Sequence, residues 1–421
     1  MRQLLIQNQD DGIHAAVLED GVLIDYASEL REEDRPGGGS SSLLGNVYKG
    51  KVMNVLPGMQ AAFVDIGLSK NAFLYIDDVL HPNLEKRERA VGKQKPLIQN
   101  VVRVGQELIV QVMREPGGGK GARITTHISL PGRWLVYMPE AAYVGVSRKI
   151  GDEAERERLR VLGERLRTEE EGLIIRTAAS GVPDSALAEE VASLREVWQE
   201  TARQSQQVKA PAVLHRESGL VRRVIRDMLT TDTDEIWVEN DDILVEMKEL
   251  MKQSPMSGFA GIVRRSEQAA GLFVQFGVDV QLEKAFARMI QLASGGYIVW
   301  EETEALTVID VNTGKFTGGG SLEETMYRTN EEAAELIARL LRIRDTGGIV
   351  IVDFIDMEEE ANRQRISQRI ETLTRGDRSR CTVVGWTRLG LLEITRKKAR
   401  FTKRTARGEA SESSCKQRET Q

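Results

Sequence analysis

Thr307 to Gly314 reads TVIDVNTG, Gly347 to Met357 reads GGIVIVDFIDM, and between them residues 321–344 read SLEETMYRTNEEAAELIARLLRIR. The two flanking pieces are short, apolar and rich in β-branched residues, which predicts buried strands. The middle piece repeats its apolar positions at helical spacing. It opens on Ser321 with Glu324 three residues later, a capping box that starts a long helix. Strand, helix and strand predict a right-handed crossover that leaves the two strands parallel. Just upstream, YIVWEETEALTVIDVN (297–312) reads as a hairpin.

Both strands close on an acid, Asp310 and Asp353. Neighbouring strands lie about 4.8 Å apart, so carboxylates at matching carboxyl ends can share one divalent cation. Ligands of open α/β sheets gather at that edge. Asn312, two residues after Asp310, points to the same side and can position a ligand or a metal-bound water. An all-oxygen set with no soft donor suits magnesium, which keeps several of its waters. A bland reading stands beside this one: Asp310 and Asp353 can cap loops or start turns, a role that Asp356 also fits. Glycines 318–320 can be a phosphate cradle or a flexible joint before the helix, and the glycine run at 116–120 lacks the P-loop spacing.

Working outward, RQLLIQN, IHAAVLE and VLIDYAS are strands separated by Asp11-Gly12 and Asp20-Gly21, both tight-turn signals. Three short strands need a partner sheet. RPGGGSSS (35–42) marks a domain inserted before that partner, which the strand EIWVEN (235–240), following a helix that contains VRRVIRDML, can supply. From Gly45 to about Thr126 short strands alternate with turns, the pattern of a five-stranded barrel. A helix over Asp152 to Glu171 alternates charge signs like a solvated face. The strand LIIRTAA follows, then a helix from Ser185 to Gln206 whose stripe of Leu187, Val191, Leu194 and Trp198 is core. Beyond Thr395 the chain is aperiodic and charged, and residues 401–421 are expected to be a disordered tail.

In the barrel, Phe63 and Phe73 sit on consecutive strands with Lys49, Lys51 and Lys120 nearby in sequence. Aromatic platforms interleaved with cations hold single-stranded nucleic acid on such barrels. Filling the barrel interior is the other reading for both phenylalanines, and it stays open.

Composition narrows the class. A chain of 421 residues has room for about three domains. Charged residues make up 29% and nearly balance, for a net charge of -6, so any basic footprint must be local. The opening MRQLLIQNQDDG is too polar for a signal peptide, and no apolar run reaches the roughly 18 residues that span a bilayer. A cytoplasmic protein is expected, in keeping with two cysteines, Cys381 and Cys415. The histidines, His14, His81, His127 and His215, have no ligand spacing, which argues against an internal zinc site. They also offer no pair for metal-free cleavage through a 2′-hydroxyl.

Taken in order, GNVYKGKV, AAFVDIG, KGARITTHISLPGR, IIRTA, TVIDVNTG, GGIVIVDFIDM and RLGLLEITRKK resemble the ribonuclease E/G family, from residue 1 to about Lys398. The resemblance implies an α+β and α/β multidomain architecture: a split ribonuclease-H-like domain (1–38 and 216–285), an inserted OB-fold barrel (39–126), a 5′-end sensor (127–215) and a deoxyribonuclease-I-like catalytic domain (286–400). It makes Asp310 and Asp353 magnesium ligands, with Asn312 orienting the scissile phosphate or the attacking water. Phe63, Phe73 and Lys120 become RNA contacts. Arg176 and Thr177, helped by backbone at Gly132 and Val136, match the residues that hold a 5′-monophosphate. The family usually carries a Cys-Pro-x-Cys zinc link and a small dimerisation domain at its C-terminus. Here Cys415 alone stands in that region, and one thiol per chain falls short of the four ligands of a structural zinc, which counts against a zinc-joined dimer and leaves a homo-oligomer through other surfaces open.

The expected activity is magnesium-dependent hydrolysis of single-stranded RNA, whether rRNA or tRNA precursors or mRNA. A metal-activated water leaves a 5′-phosphate and a 3′-hydroxyl, and 5′-monophosphorylated substrates are favoured. The rival is a non-catalytic RNA-binding or scaffolding protein that uses the barrel.

Overall fold

The computed structural model describes residues 1–31, 43–79, 96–116, 120–252, 261–267, 271–314 and 322–397. Ser321 of the expected capping box, His81, the linker at 35–42, glycines 318–320, most of the glycine run at 116–120 and the tail with Cys415 lie outside them. The chain forms two compact units, one from residues 1–35 with 227–421 and the other from 36–226. Among the described residues no helix is long and apolar enough to cross a membrane.

The first unit is mixed α+β. Its N-terminal strands, Arg2–Gln9, Gly12–Glu19 and Val22–Leu30, form an antiparallel meander. At the second turn Asp20 and Gly21 both take positive φ, 49° and 79°, the geometry that matches the right-handed twist of the flanking strands. The partner for these strands is Glu235–Val238, parallel to the first of them with Leu4 opposite Ile236, and Val263–Arg265 closes a five-stranded sheet.

A six-stranded sheet follows in the order Met289–Gln291, Tyr297–Glu302, Leu306–Asn312, Gly348–Asp353, Leu391–Arg396, Cys381–Trp386. Its central pair, Leu306–Asn312 and Gly348–Asp353, is parallel, and the helix Leu322–Ile343 connects the two. Ile309, Val311, Val350 and Val352 are buried with Ile337 and Leu341 of that helix in one core. At the edge of this core Arg396 is fully buried and donates to Asp377 at 2.7 Å, Asp345 at 3.0 Å and the Thr346 carbonyl at 2.8 Å.

The second unit contains a closed five-stranded barrel of OB type, Val47–Leu56, Ala61–Asp65, Ala72–Tyr75, Arg123–Thr125 and Glu107–Arg114. The last strand pairs back onto the first with Val110 opposite Tyr48. Val52, Val64, Leu74, Val110 and Ile124 fill it. Beside it Leu130–Pro131, Leu135–Met138, Gly172–Ile175 and Val144–Val146 make a four-stranded sheet, accompanied by the helices Glu153–Leu166 and Asp184–Gln207. Arg–Glu pairs three residues apart line the first of these helices, as its charge pattern predicts. The helix stops at Leu166, however, short of the predicted Glu171. Glu171 is buried and paired with Arg195 at 2.7 Å, because the chain has by then turned inward to begin the next strand.

Candidate active site and nucleic-acid interface

Alternation along Leu306–Asn312 buries Thr307, Ile309 and Val311 and turns Val308 and Asp310 to the opposite, solvent-reaching face. The same alternation turns Asp353 outward from its strand while Val350 and Val352 are buried. Asp310 and Asp353 are register partners, side by side at the carboxyl ends of the parallel pair. Asn312 donates from Nδ2 to Asp310 Oδ2 at 2.8 Å. Partial burial, then the carboxylates of Asp310 and Asp356, push the Asp353 pKa upward.

The chain is held in place just beyond both acids. Gly314 adopts φ 59°, and a Cβ there would lie 2.5 Å from the Gly295 carbonyl, so only glycine fits this close approach. Asn330, buried on the crossover helix, grips Ile355 with both amide atoms, donating to its carbonyl at 2.8 Å and accepting its N–H at 3.0 Å. Sequence reasoning missed Asn330. Its signal was a carboxamide on the apolar face of an amphipathic helix.

Two carboxylates in one row, with a third close enough to raise the pKa of one of them, form an acidic set that a hard cation suits. Among the described residues no group of three or more His, Cys, Asp or Glu side chains forms a metal cage. A pair of carboxylates fits a cation that keeps most of its water, as magnesium does.

In the barrel Phe63 and Phe73 stand opposite each other on adjacent strands, their ring centroids 5.7 Å apart and tilted edge to face. Neither belongs to the barrel core: Ala62, Val64, Ala72 and Leu74 point inward, and the two phenylalanines lie on the outer face, half-buried. The row continues with Tyr75, 5.4 Å from Phe73, and with Arg123 over the Tyr75 ring at 5.7 Å. Tyr75 and Arg123 went unnoticed in the sequence, although the alternation in NAFLY already puts Tyr75 on the same face as Phe73. Lys120 is exposed, as is Lys51. Lys49 is engaged elsewhere, donating to the Ser205 and Val208 carbonyls at the end of a helix and pairing with Glu107 at 2.8 Å.

Arg176 directly follows the strand Gly172–Ile175, and its Nη1 donates to the Gly132 carbonyl at 2.7 Å. Thr177 is exposed, with its hydroxyl 2.8 Å from that of Ser147. Val136 sits in the adjacent strand opposite Ile174. The N–H of Gly132 already donates to the Leu135 carbonyl. Arg176, Thr177, Gly132 and Val136 therefore lie toward one end of the four-stranded sheet. The aromatic row belongs to the same unit, and the acidic pair to the other.

Of the histidines, His14 is wholly buried between Tyr26 and Asp11, at 2.6 and 2.8 Å. Burial pushes the pKa of His215 down. The thiol of Cys381 is free.

Residues 129–399 match the sequence profile of the Ribonuclease E/G family. Ribonuclease G of Escherichia coli strain K12 is 40% identical over 403 residues, spanning 94% of this chain and 80% of its own length. Ribonuclease G of Haemophilus influenzae is 39% identical over 400 residues with the same coverage. Ribonuclease E of Escherichia coli strain K12 is 35% identical over 398 residues, which span 94% of this chain and 37% of that longer relative. A profile match over more than half of the chain, with likeness to two kinds of ribonuclease over 94% of it, leads to one conclusion: this chain belongs to the ribonuclease E/G family.

Proposed function

We propose that this member of the ribonuclease E/G family is a magnesium-dependent endoribonuclease that cuts single-stranded RNA at Asp310 and Asp353, whose carboxylates would hold the ion. It leaves a 5′-phosphate and a 3′-hydroxyl, in RNA processing and decay. The observation that carries this reading is the register pairing of Asp310 with Asp353 on adjacent strands, both turned to the exposed side. When bound there, magnesium supplies an activated water and offsets charge developing on the phosphate. Asp310 and Asp353 would hold the cation, and Asn312, through its 2.8 Å bond, fixes the Asp310 carboxylate, which leaves its side-chain carbonyl oxygen as the acceptor to order substrate or water.

Phe63, Phe73 and Lys120 bind the RNA strand, the rings by stacking and the ammonium through phosphate. The outward-facing aromatic row, extended by Tyr75 and Arg123, supports that role. Arg176 and Thr177, beside Gly132 and Val136, take a 5′-monophosphate. A guanidinium and a hydroxyl at one strand end are apt donors for a terminal phosphate. In this scheme the five-stranded sheet of the first unit is ribonuclease-H-like and the six-stranded sheet deoxyribonuclease-I-like. A cytoplasmic location accords with a chain of two cysteines.

The test is cleavage of a single-stranded RNA with magnesium, with chelator, and with magnesium restored. Cleavage that persists undiminished in chelator would overturn the metal assignment.

A further inference from the structure

Glu190, on the helix Asp184–Gln207, accepts three consecutive backbone N–H groups: Arg133 at 2.7 Å, Trp134 at 3.0 Å and Leu135 at 3.1 Å. Successive N–H groups converging on one point make an anion nest, and here a side chain of the protein fills it. Gly132 adjoins the carboxylate so closely that a Cβ there would lie 2.5 Å from Glu190 Cδ. The same loop is held from its other side by Arg176, whose Nη1 donates to the Gly132 carbonyl at 2.7 Å and whose backbone N–H donates to the Trp134 carbonyl at 2.7 Å. Glu190 thus takes the loop's donors while Arg176 takes its acceptors. Burial pushes the Glu190 pKa up, against the pull of the three N–H groups and of the Arg176 charge.

We propose that Glu190 is the positioning residue of the 5′-end pocket, holding the Gly132–Leu135 loop in the shape that orients Arg176 toward a terminal phosphate. The inference rests on the reading of Arg176 as the phosphate-holding residue. One arm of the guanidinium is tied to the Gly132 carbonyl, and that bond lasts only while the loop keeps its shape. Without the carboxylate, three N–H groups lose their acceptor, the loop opens, and the arginine loses its anchor. A carboxamide in place of the carboxylate keeps the size but directs an NH2 group at donors, so Glu190→Gln disturbs the loop without leaving a void.

The experiment measures initial rates on paired RNAs differing only in a 5′-monophosphate or a 5′-hydroxyl, for wild type, Glu190→Gln, Glu190→Asp and Arg176→Ala. The affinity of a non-cleavable 2′-O-methyl oligonucleotide is measured with each end, and Tm is recorded for every variant. Wild type is expected to prefer the monophosphate, and Glu190→Gln to bring the ratio of rates to within about twofold of one. The phosphate-dependent part of the affinity should fall with it, and Glu190→Asp should recover part of both. Preference kept by Glu190→Gln, or an equal loss on both substrates that follows Tm, overturns the proposal. Should Glu190→Gln not fold, Glu190→Asp decides alone: an undiminished ratio counts against. Absence of any preference in wild type instead overturns the reading of Arg176.

Discussion

Asp310 and Asp353 face each other across two parallel strands, 43 positions apart in sequence and in direct register. The pKa of Asp353 is raised by partial burial and by its acidic neighbours, as expected where two like charges share a site that a cation would relieve. Asp310→Asn and Asp353→Asn should each lower RNA cleavage by at least ~10²-fold, the scale for loss of a transition-state electrostatic contact. RNA binding should be largely retained. Steady-state rates and binding to non-cleavable RNA check this, and near-wild-type cleavage by both variants at ordinary magnesium would refute it.

Phe63→Ala and Phe73→Ala should each weaken binding of single-stranded RNA by roughly 1–3 kcal/mol, the value of one stacked base. Because both rings lie outside the barrel core, the melting temperature should change little. A large fall in Tm with unchanged affinity in the folded fraction would make them packing residues after all.

Arg176→Ala should erase the preference for a 5′-monophosphate. The bound end restricts the RNA to productive orientations, an entropic gain that the variant forgoes. Paired substrates at fixed magnesium and salt report it. Equal loss on both ends would assign the arginine a purely structural task.

Glu171 carries a pH-dependent share of stability. Hydrogen bonds from Arg195 first, and from Thr168 N–H and the Tyr137 hydroxyl, hold its carboxyl at about 2, well below an ordinary glutamate. A depressed folded pKa contributes stability that is fully present above the unfolded value and lost as pH falls through the folded one. Glu171→Gln should therefore cost on the order of 3 kcal/mol at pH 7. That gap should shrink as pH falls from about 4.5 toward 2. Denaturant titrations across that range measure it, and a gap independent of pH would rule out the ionic contribution.

Arg396→Met should destabilise the first unit by roughly 3–5 kcal/mol, since it removes the guanidinium that pairs with two buried carboxylates, Asp345 and Asp377. Replacing Asp377 by Asn in the same chain should recover part of the loss. Thermal unfolding of the single and double variants checks both expectations.

The parts legible in sequence were those encoded by local periodicity. Alternation and helical spacing around Asp310, Asp353 and the segment between them yield strand, helix and strand, and the strand ends put both acids at one edge, because side-chain direction in a strand depends only on position along it. Turn pairs such as Asp20-Gly21 are local in the same way. What alternation leaves undecided is which of two faces becomes the inside. Phe63 and Phe73 fell on consecutive strands by sequence, but their pairing in register and whether they lined or left the barrel were set by the strands closing onto one another. Lys49 read as an exposed cation until the end of a distant helix presented carbonyls to it. Glu190 gave no signal at all, its three donors lying 55 to 57 positions away. Sequence by itself determined the elements, the acidic pair and the family. Tertiary structure decided the register that sets Asp310 beside Asp353, the outward aromatic row and the Glu190 clamp, because each depends on groups brought together only when sheets close and helices dock.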